Sequence, residues 1–251
     1  MKYSKEELSI KIQQVKHWYH TVEVAPGVFT PGIRNCQELL ELLELPDDCG
    51  GLRVLDLGAS DGFFAITLNR RGAKETVAID YRPAEKTGFP ILQDIFDSKV
   101  RFITDNVYNI TPEDYGEFDI VLCLGVVYHL RNPLLLLDRI REVCKGWLYL
   151  ESFVIDNRLI TKDGGERPLA DISQELLGIP IMQFYPRNEL DGDYTNWWGP
   201  NSTCLKEMLE SANFTIIFQK VLGSRAVFKC KVNDDSDTKY WRQLERSAML
   251  Y

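Results

Sequence analysis

Residues 54–64 read VLDLGASDGFF, and this stretch decides the fold. A largely apolar strand runs into a turn of small residues, and the turn opens a helix. Backbone amides at such a turn are unpaired, and a ligand can approach them closely because side chains are absent. The next strand ends in Asp80, 18 residues after Gly62, close to the ~20 residues expected for an acid that binds ribose hydroxyls. Turn and acid together predict a site for a ribose-bearing cofactor at the carboxyl edge of a sheet.

Strands and helices alternate around this turn. Because the early strands are apolar on both faces, they indicate a parallel sheet covered by helices on both sides. The predicted fold class is α/β, with a Rossmann-like sheet of seven strands. We predict strands over 52–57, 75–80, 99–104, 118–124 and 146–151, helices over 61–71, 91–97, 132–144 and 202–212, and a final hairpin of strands over 214–222 and 225–232.

The chain divides into five segments. The segment after the fifth strand has no clear period and is too long for an ordinary connection, which indicates a lid that binds the substrate. The first segment contains two helices, predicted over 4–19 and 35–45, separated by a looped stretch rich in Pro and Gly. We predict an N-terminal helical cap over 1–45, a cofactor-binding core over 46–152, a lid over 153–200, the C-terminal part of the core over 201–232 and a polar, partly helical tail over 233–251.

The composition excludes several classes of protein. Hydrophobic residues make up 45% of the 251 residues, so a wholly disordered chain is excluded. The formal net charge is -8, whereas nucleic-acid binders usually present a basic surface. The charge disfavours a tight nonspecific nucleic-acid partner but leaves a local basic groove open. Six scattered cysteines without a CxxC pair predict no disulfide framework.

Targeting and membrane signals are also lacking in the sequence. No apolar run approaches the ~20 residues of a membrane span. Residues 1–10 are charged and hold no apolar signal region. We therefore predict a cytoplasmic protein without membrane contact.

Other motifs fit the turn less well. A nicotinamide dinucleotide site requires G-x-G-x-x-G, whereas a phenylalanine follows Gly58-x-Ser60-x-Gly62 here, and no GKS or GKT follows to make a P-loop. The same residues match the G-x-S-x-G nucleophile elbow of α/β-hydrolases, with Ser60 as nucleophile and His129 as the downstream histidine. That alternative places the nucleophile after only one strand and leaves the acid of the next strand unexplained. A sheet that binds no cofactor is a further alternative, but packing alone gives no reason for the turn and that acid to occur together.

The turn resembles motif I of class I S-adenosylmethionine-dependent methyltransferases, D-x-G-x-G-x-G, with Ser60 in place of the middle glycine. The resemblance implies S-adenosylmethionine as the cofactor and an antiparallel last strand in the sheet. It assigns the methionine side of the cofactor to the turn, the ribose to Asp80 and the adenine to the segment after the third strand. The implied cofactor-binding residues are Asp56, Gly58, Ser60, Gly62, Asp80, Asp105, Asn106 and Leu124.

Three further segments resemble one family, the tRNA wobble-uridine carboxymethyltransferases, which complete 5-oxyacetyluridine. They are GVVYHLRNPL at 125–134, LESFVID at 150–156 and SRAV at 224–227. In that family the positions of Tyr128 and Arg225 bind the extra carboxylate of carboxy-S-adenosylmethionine.

The chain departs from this family in two places. The stretch after the first helix holds no lysine that matches the family's carboxylate-binding one, and the segment NWWGPN at 196–201 is absent from the tRNA enzymes. We therefore interpret the chain as a shorter sister group that uses ordinary S-adenosylmethionine. Carboxy-S-adenosylmethionine is the less favoured alternative.

Candidate catalytic residues follow the fourth strand. Methyl transfer is an in-line displacement, in which the protein aligns the acceptor and removes its proton. His129 lies just past the carboxyl end of that strand, and we predict it as the base. The alternatives are that it caps the next helix or bonds a backbone carbonyl. We predict that Tyr128 lines the methyl channel, with core packing as its alternative. His17 and His20 form H-x-x-H with only Glu23 at a useful offset, so we predict no metal and favour a helix that closes over the cofactor.

The candidate substrate-binding residues come from the lid and the last strand. The lid holds the aromatic residues Phe184, Tyr185, Trp197 and Trp198. Their large rigid surfaces can stack on a sugar, a base or a ring, or can form the lid's own small core. Arg225 is a further candidate, unless an acid of the core neutralises it. Residues 153–200 contain four Lys or Arg and eight Asp or Glu, whereas a lid that faces RNA should be basic.

The predicted activity is methyl transfer to oxygen or nitrogen of a small-molecule or sugar-type acceptor. Modification of the tRNA wobble uridine is the alternative. A non-catalytic cofactor-binding protein is a third class.

Overall fold

The N-terminal segment contains two helices separated by four short strands. The computed structural model describes residues 2–234. Ser4 begins the first helix with a capping box, in which its hydroxyl accepts from Glu7 N and the Glu7 carboxylate accepts from Ser4 N. That helix ends at Gln13, so the prediction of a helix that carries His17 and His20 over the cofactor is wrong. The segment contains α1 (Lys5–Gln13), β1 (His20–Thr21), β2 (Glu23–Ala25), β3 (Val28–Phe29), β4 (Arg34–Asn35) and α2 (Gln37–Leu43).

Strands and helices then alternate as predicted. The strands predicted over 75–80 and 118–124 have the predicted bounds, because a polar residue or a glycine ends each apolar run. The fifth strand is longer than the predicted 146–151. The elements are β5 (Arg53–Leu57), α3 (Phe63–Arg70), β6 (Glu75–Asp80), α4 (Phe89–Phe96), β7 (Arg101–Thr104), α5 (Pro112–Tyr115), β8 (Phe118–Leu124), α6 (Pro133–Val143) and β9 (Cys144–Phe153).

Residues 153–200, which the sequence predicts to be a lid and which are called the lid below, begin at the end of β9, and the chain then returns to the core. The lid contains β10 (Leu159–Ile160), β11 (Glu166–Arg167), β12 (Met182–Phe184) and β13 (Trp198–Pro200), and the core resumes with α7 (Ser202–Ser211), β14 (Phe214–Leu222) and β15 (Arg225–Val232). Two antiparallel pairs, β10 with β11 and β12 with β13, organise the lid. The tail predicted over 233–251 lies outside the described residues from residue 235 onward. The lid's own buried core, which continues onto Tyr128, comprises Phe153, Ile155, Ile160, Leu169, Tyr185 and Leu190.

Seven core strands form one sheet in the order β14-β15-β9-β8-β5-β6-β7. The strands from β9 to β7 pair in parallel, and β15 pairs antiparallel with both β9 and β14. The predicted α/β fold with seven strands is therefore confirmed, including its antiparallel last strand. Leu55 and Leu57 pack toward α6 and α7, whereas Val54 packs toward α2 and α3. Because the strand order reverses beside β5, its carboxyl end opens a crevice of the kind in which α/β sheets bind ligands.

The described part of the chain holds no membrane-spanning helix and no disulfide bond. Among residues 2–234, no helix has the length and apolar character that a membrane span requires. All six cysteines are buried and free. Burial raises the pKa of the Cys36 thiol to about 12, which keeps this thiol protonated.

Candidate active site

Three residues of the turn after β5 have left-handed backbone conformations. Their φ angles are +70° at Gly58, +51° at Ser60 and +80° at Gly62. A Cβ atom on Gly58 would lie 2.6 Å from Val126 Cγ2, and one on Gly62 would lie 2.4 Å from Phe89 Cδ2. Both glycines are thus needed for conformation and for space. Serine at position 60 tolerates a conformation that costs roughly 1–2 kcal/mol in an L-residue.

Asp80, at the end of β6, holds the turn in place. Its Oδ2 accepts a hydrogen bond of 2.8 Å from Ser60 N, and its Oδ1 accepts one of 2.9 Å from Arg82 N. The Arg82 guanidinium also donates to Ser60 Oγ at 2.9 Å. Arg82 Nε is a third donor, 3.3 Å from Asp80 Oδ1. A carboxylate has about four acceptor positions, so Asp80 keeps capacity for one further donor. Arg82 was not predicted as a site residue, although its place two residues after Asp80 was a signal.

Asp56 is a second buried acid beside the turn. Only 3% of the residue is exposed. Burial raises its pKa to about 7, because it disfavours the charged form, and a hydrogen bond from Ala65 N offsets part of this effect. A cationic group beside Asp56 would restore its ionised form.

Asp61 ties the N-terminal segment to the turn. Its Oδ2 accepts from Tyr19 N at 2.7 Å and from His20 N at 2.8 Å, and its Oδ1 accepts from Gly88 N at 2.7 Å. Burial lowers the pKa of His20 to about 4, so this histidine is neutral. In the described range 2–234, no three His, Cys, Asp or Glu side chains are grouped to hold a metal ion.

The segment after β7 lies beside Asp80 through its backbone, because Asp105 N donates to Asp80 O at 3.0 Å. The Asp105 carboxylate accepts from the Tyr115 hydroxyl, which lowers its pKa, and from Asn109 Nδ2 at 2.7 Å. The Asn106 side chain accepts from a backbone N–H two residues later. Both side chains stabilise their own turn here, and their contact with adenine stays a prediction.

The carboxyl end of β8 carries the predicted methyl channel. Leu124 is half-buried, and the next residue, Gly125, has a φ of +75°. Tyr128 is buried, and burial raises the pKa of its hydroxyl. The Arg225 guanidinium carbon lies 4.9 Å from the centre of the Tyr128 ring.

Arg225 is neutralised by an acid of the core. Its Nη2 lies 2.6 Å from Glu151 Oε2, and its Nε contacts Glu151 Oε1 as the second point of the pair. The alternative that the sequence left open is therefore present in the structure. Its partner, Glu151, belongs to the LESFVID segment and was not predicted as a site residue.

His129 contacts the lid rather than the next helix. Its Nδ1 lies 2.9 Å from Thr195 Oγ1 and 3.3 Å from Thr195 O, so the alternative of a bond to a backbone carbonyl is present in the structure. Burial lowers the pKa of the imidazole, and the Asp193 carboxylate opposes this shift. The lid is fixed here by Trp197 N, which donates to Tyr128 O at 2.9 Å.

The lid's aromatic side chains divide into two groups. Tyr185, which we expected to contact the substrate, is 1% exposed and packs in the lid core, so the structure gives it a packing position. Its neighbour Phe184 is 47% exposed and lies 4.9 Å from Trp198, ring centre to ring centre. The Trp197 ring stacks near the Phe184 ring. The guanidinium carbon of Arg131 lies 4.4 Å from the centre of the Trp197 ring.

The sheet order, the turn after β5 and the acid after β6 define a Rossmann-like fold with the topology of S-adenosylmethionine-dependent methyltransferases. Residues 32–219 match the family described as "Methyltransferase domain", and the chain belongs to that family. The expected enzyme class is thus confirmed at the level of family and fold.

Curated relatives are named tRNA U34 carboxymethyltransferase. The protein from Dichelobacter nodosus (strain VCS1703A) is 28% identical over 202 residues, which cover 79% of this chain and 55% of the relative. The protein from Helicobacter pylori (strain G27) is 30% identical over 110 residues, which cover 42% of each chain. The chain spans about half the length of the curated relatives that it matches.

A solved structure supports the fold. The N-terminal domain of EvdMO1, determined in the presence of SAH and D-fucose, is 16% identical to this chain, with a TM-score of 0.63. The alignment covers 92% of this chain and 97% of that domain.

Proposed function

We propose that the chain is an S-adenosylmethionine-dependent methyltransferase that acts on oxygen or nitrogen of a small-molecule or sugar-type acceptor. The observation that carries the proposal is the pair of buried acids, Asp56 and Asp80, at the left-handed turn over 58–62. The cofactor offers a matching pair of groups, a methionine ammonium and a ribose diol. Asp56 would accept from the ammonium and Asp80 from the diol.

The chain's own residues would orient the acceptor and move its proton. The bound cofactor supplies a methyl group on a positively charged sulfur. Tyr128 would line the channel, and His129 would take the proton from the acceptor. The lid core, packed on Tyr128, would exclude water.

The ordinary donor is favoured over the carboxylated one. A second carboxylate in a buried site needs a paired cation, because an unpaired buried charge costs several kcal/mol. The Arg225 charge is already matched by Glu151 at two points. An extra carboxylate near Tyr128 would therefore meet a neutral ion pair.

The lid favours a small acceptor. Its residues 153–200 carry twice as many acids as bases, which opposes an RNA backbone. A partly exposed aromatic surface is formed by Phe184, Trp197 and Trp198. It lies beside residues 128–131 and suits the apolar face of a sugar or a ring. The solved EvdMO1 domain was determined with D-fucose, which supports a sugar-type acceptor.

A second candidate is the modification of the tRNA wobble uridine. The names of the curated relatives favour it, and the Dichelobacter nodosus protein aligns over 79% of this chain. In this case the acceptor would be a nucleic acid, and the positive charges that bind it would have to lie outside the lid.

Labelled methyl transfer tests the proposal. The chain is incubated with S-adenosylmethionine that carries a labelled methyl group. Three separate reactions each contain one source of acceptors: bulk tRNA, a nucleotide-sugar mixture or a metabolite extract. We expect label in a small molecule, lost in the variant His129→Gln and retained in the control Glu207→Gln on exposed α7 surface. Label in tRNA, together with a tight gel shift that weakens steeply with salt, would favour the second candidate. Stabilisation by NAD but by neither S-adenosylmethionine nor its product would refute both.

A further inference from the structure

A lid segment lies in hydrogen-bond contact with His129. Thr195 Oγ1 is 2.9 Å from His129 Nδ1 and 2.7 Å from Asp193 Oδ1. Thr195 N also donates to Asp193 Oδ1 at 2.8 Å, which fixes the carboxylate against the threonine. Three residues therefore form one chain of hydrogen bonds, from the lid carboxylate through the hydroxyl to the imidazole.

We propose that Thr195 and Asp193 are positioning residues that hold the His129 proton on Nδ1 and leave Nε2 as the basic nitrogen. An ionised carboxylate only accepts hydrogen bonds, so the single proton of the Thr195 hydroxyl is directed to Asp193. The hydroxyl oxygen can then only accept from His129, which requires a proton on Nδ1. The Thr195 carbonyl, 3.3 Å from the same nitrogen, is also an acceptor and favours the same tautomer.

Burial lowers the pKa of the His129 imidazole and so favours its neutral form. The Asp193 carboxylate and the hydrogen bond with the Thr195 backbone oppose this shift, and Arg225 adds to it. The Tyr128 ring lies 4.2 Å from the imidazole, centre to centre, and restricts its rotation. A neutral histidine with a free Nε2 is the form that a general base requires.

The inference rests on the proposed function for its chemical meaning. As the acceptor's oxygen or nitrogen bonds to the methyl carbon, the carbon–sulfur bond breaks and its electron pair stays on sulfur. The acceptor's proton moves to His129 Nε2. The imidazolium formed in this way is stabilised through Thr195 by the Asp193 carboxylate.

The arrangement also makes the base depend on the lid. His129 belongs to the core after β8, whereas Asp193 and Thr195 belong to the lid. Docking of the lid, fixed by the hydrogen bond from Trp197 N to Tyr128 O, brings the three groups together. A free lid would leave the histidine without its orienting partner.

Nitrogen NMR of histidine tests the proposal without cofactor or acceptor. The chain contains three histidines, so ¹⁵N-labelled imidazole signals can be assigned with the variant His129→Gln. Above the pKa of His129, we expect Nδ1 to show the shift of a protonated nitrogen and Nε2 that of an unprotonated one. Thr195→Val leaves only the more distant backbone carbonyl of residue 195 as an acceptor, so it should shift part of the population to the Nε2 tautomer. Thr195→Ser should retain the proton on Nδ1.

Two further variants keep the test decisive. Asp193→Ala should weaken the preference for Nδ1, because the threonine proton is then free to point at the histidine. Asp191→Asn, which removes a neighbouring lid acid bound to Arg158, should leave the tautomer unchanged. A proton on Nε2 in the unmodified chain, or an unchanged tautomer in both Thr195→Val and Asp193→Ala, would overturn the proposal. Failure to bind S-adenosylmethionine would instead refute the proposed function, since the tautomer is measured on the free chain.

Discussion

Arg225 and Glu151 form a two-point ion pair across β15 and β9, with Nη2 2.6 Å from Oε2, against the ring of Tyr128. The family resemblance assigns an extra carboxylate to the positions of Tyr128 and Arg225, and this pair lies at those positions. Its charges cancel, and both side chains are largely buried. We therefore expect Glu151 to influence which donor the chain binds.

Replacing Glu151 should change that choice. In Glu151→Gln the Arg225 charge loses its partner, and the free energy of unfolding should fall by about 3 kcal/mol. The affinity for carboxy-S-adenosylmethionine relative to the ordinary cofactor should rise by about tenfold, which is about 1.4 kcal/mol. Competition binding measures the ratio, and the double variant Glu151→Gln/Arg225→Gln should lose the gain. An unmodified chain that already prefers the carboxylated cofactor tenfold would contradict this account.

Asp56 should make cofactor binding depend on pH. Its pKa of about 7 lies above the unfolded value, so burial favours the neutral acid, and the resulting contribution to stability is lost as pH rises through 7. A cofactor ammonium requires the ionised form. Affinity for S-adenosylmethionine should therefore rise about tenfold from pH 6 to pH 8, as the ionised fraction rises.

The variant Asp56→Asn provides the control for this titration. Its affinity should be low and independent of pH over the same range. Its stability relative to the unmodified chain should increase from pH 5 to pH 8, since the buried acid no longer ionises. Calorimetric titration and urea unfolding at these pH values measure both effects, and a flat affinity profile in the unmodified chain would exclude the role of Asp56.

Gly62 should be intolerant of a side chain. Gly62→Ala combines a φ of +80° with a Cβ only 2.4 Å from Phe89, so we expect a loss of about 2–4 kcal/mol from backbone strain and overpacking. Gly27→Ala is the matched control, because its φ is +77° and nothing lies within 4 Å of the added atom. It should lose only about 1 kcal/mol. Equal losses in urea unfolding would show that packing on Phe89 has no cost.

Asp61 should hold the N-terminal segment on the turn. Asp61→Ala removes the acceptor of Tyr19 N, His20 N and Gly88 N, so we expect a loss of about 3 kcal/mol. Amide exchange at these three positions should accelerate by more than tenfold. Asp119→Ala, which removes an acceptor for Arg53 N at the start of β5, should leave their exchange unchanged. Unchanged exchange in Asp61→Ala would show that other contacts hold the segment.

The sequence predicted the sheet well because its strands are read from local signals. Strands over 214–222 and 225–232 have the predicted bounds, since a tight Gly-Ser turn separates two apolar runs. The end of α1 at Gln13 was not predicted, because contacts outside the helical period accompany it. The Trp18 indole donates to Ile12 O and Asp61 binds the amides of Tyr19 and His20, and no local period reports such contacts.

The parts of the candidate site that lie within one sequence motif were predicted. The contacts that form only when distant segments pack together were not predicted. The turn and Asp80 lie within one strand–helix–strand unit, so spacing alone predicted their contact. Thr195 and His129 are 66 residues apart, and only the docking of the lid joins them. Likewise, sequence did not distinguish the buried Tyr185 from the exposed Phe184, because the lid's strand pairing decides which of two neighbours faces the solvent.

Calorimetric titration of S-adenosylmethionine into the unmodified chain and into Asp80→Ala tests the central claim most directly. The account predicts one site of micromolar affinity in the unmodified chain. In Asp80→Ala the ribose hydroxyls and Ser60 N both lose their acceptor, so affinity should fall at least tenfold, which is about 1.4 kcal/mol. No binding by the folded unmodified chain, or equal affinity in Asp80→Ala, would contradict it.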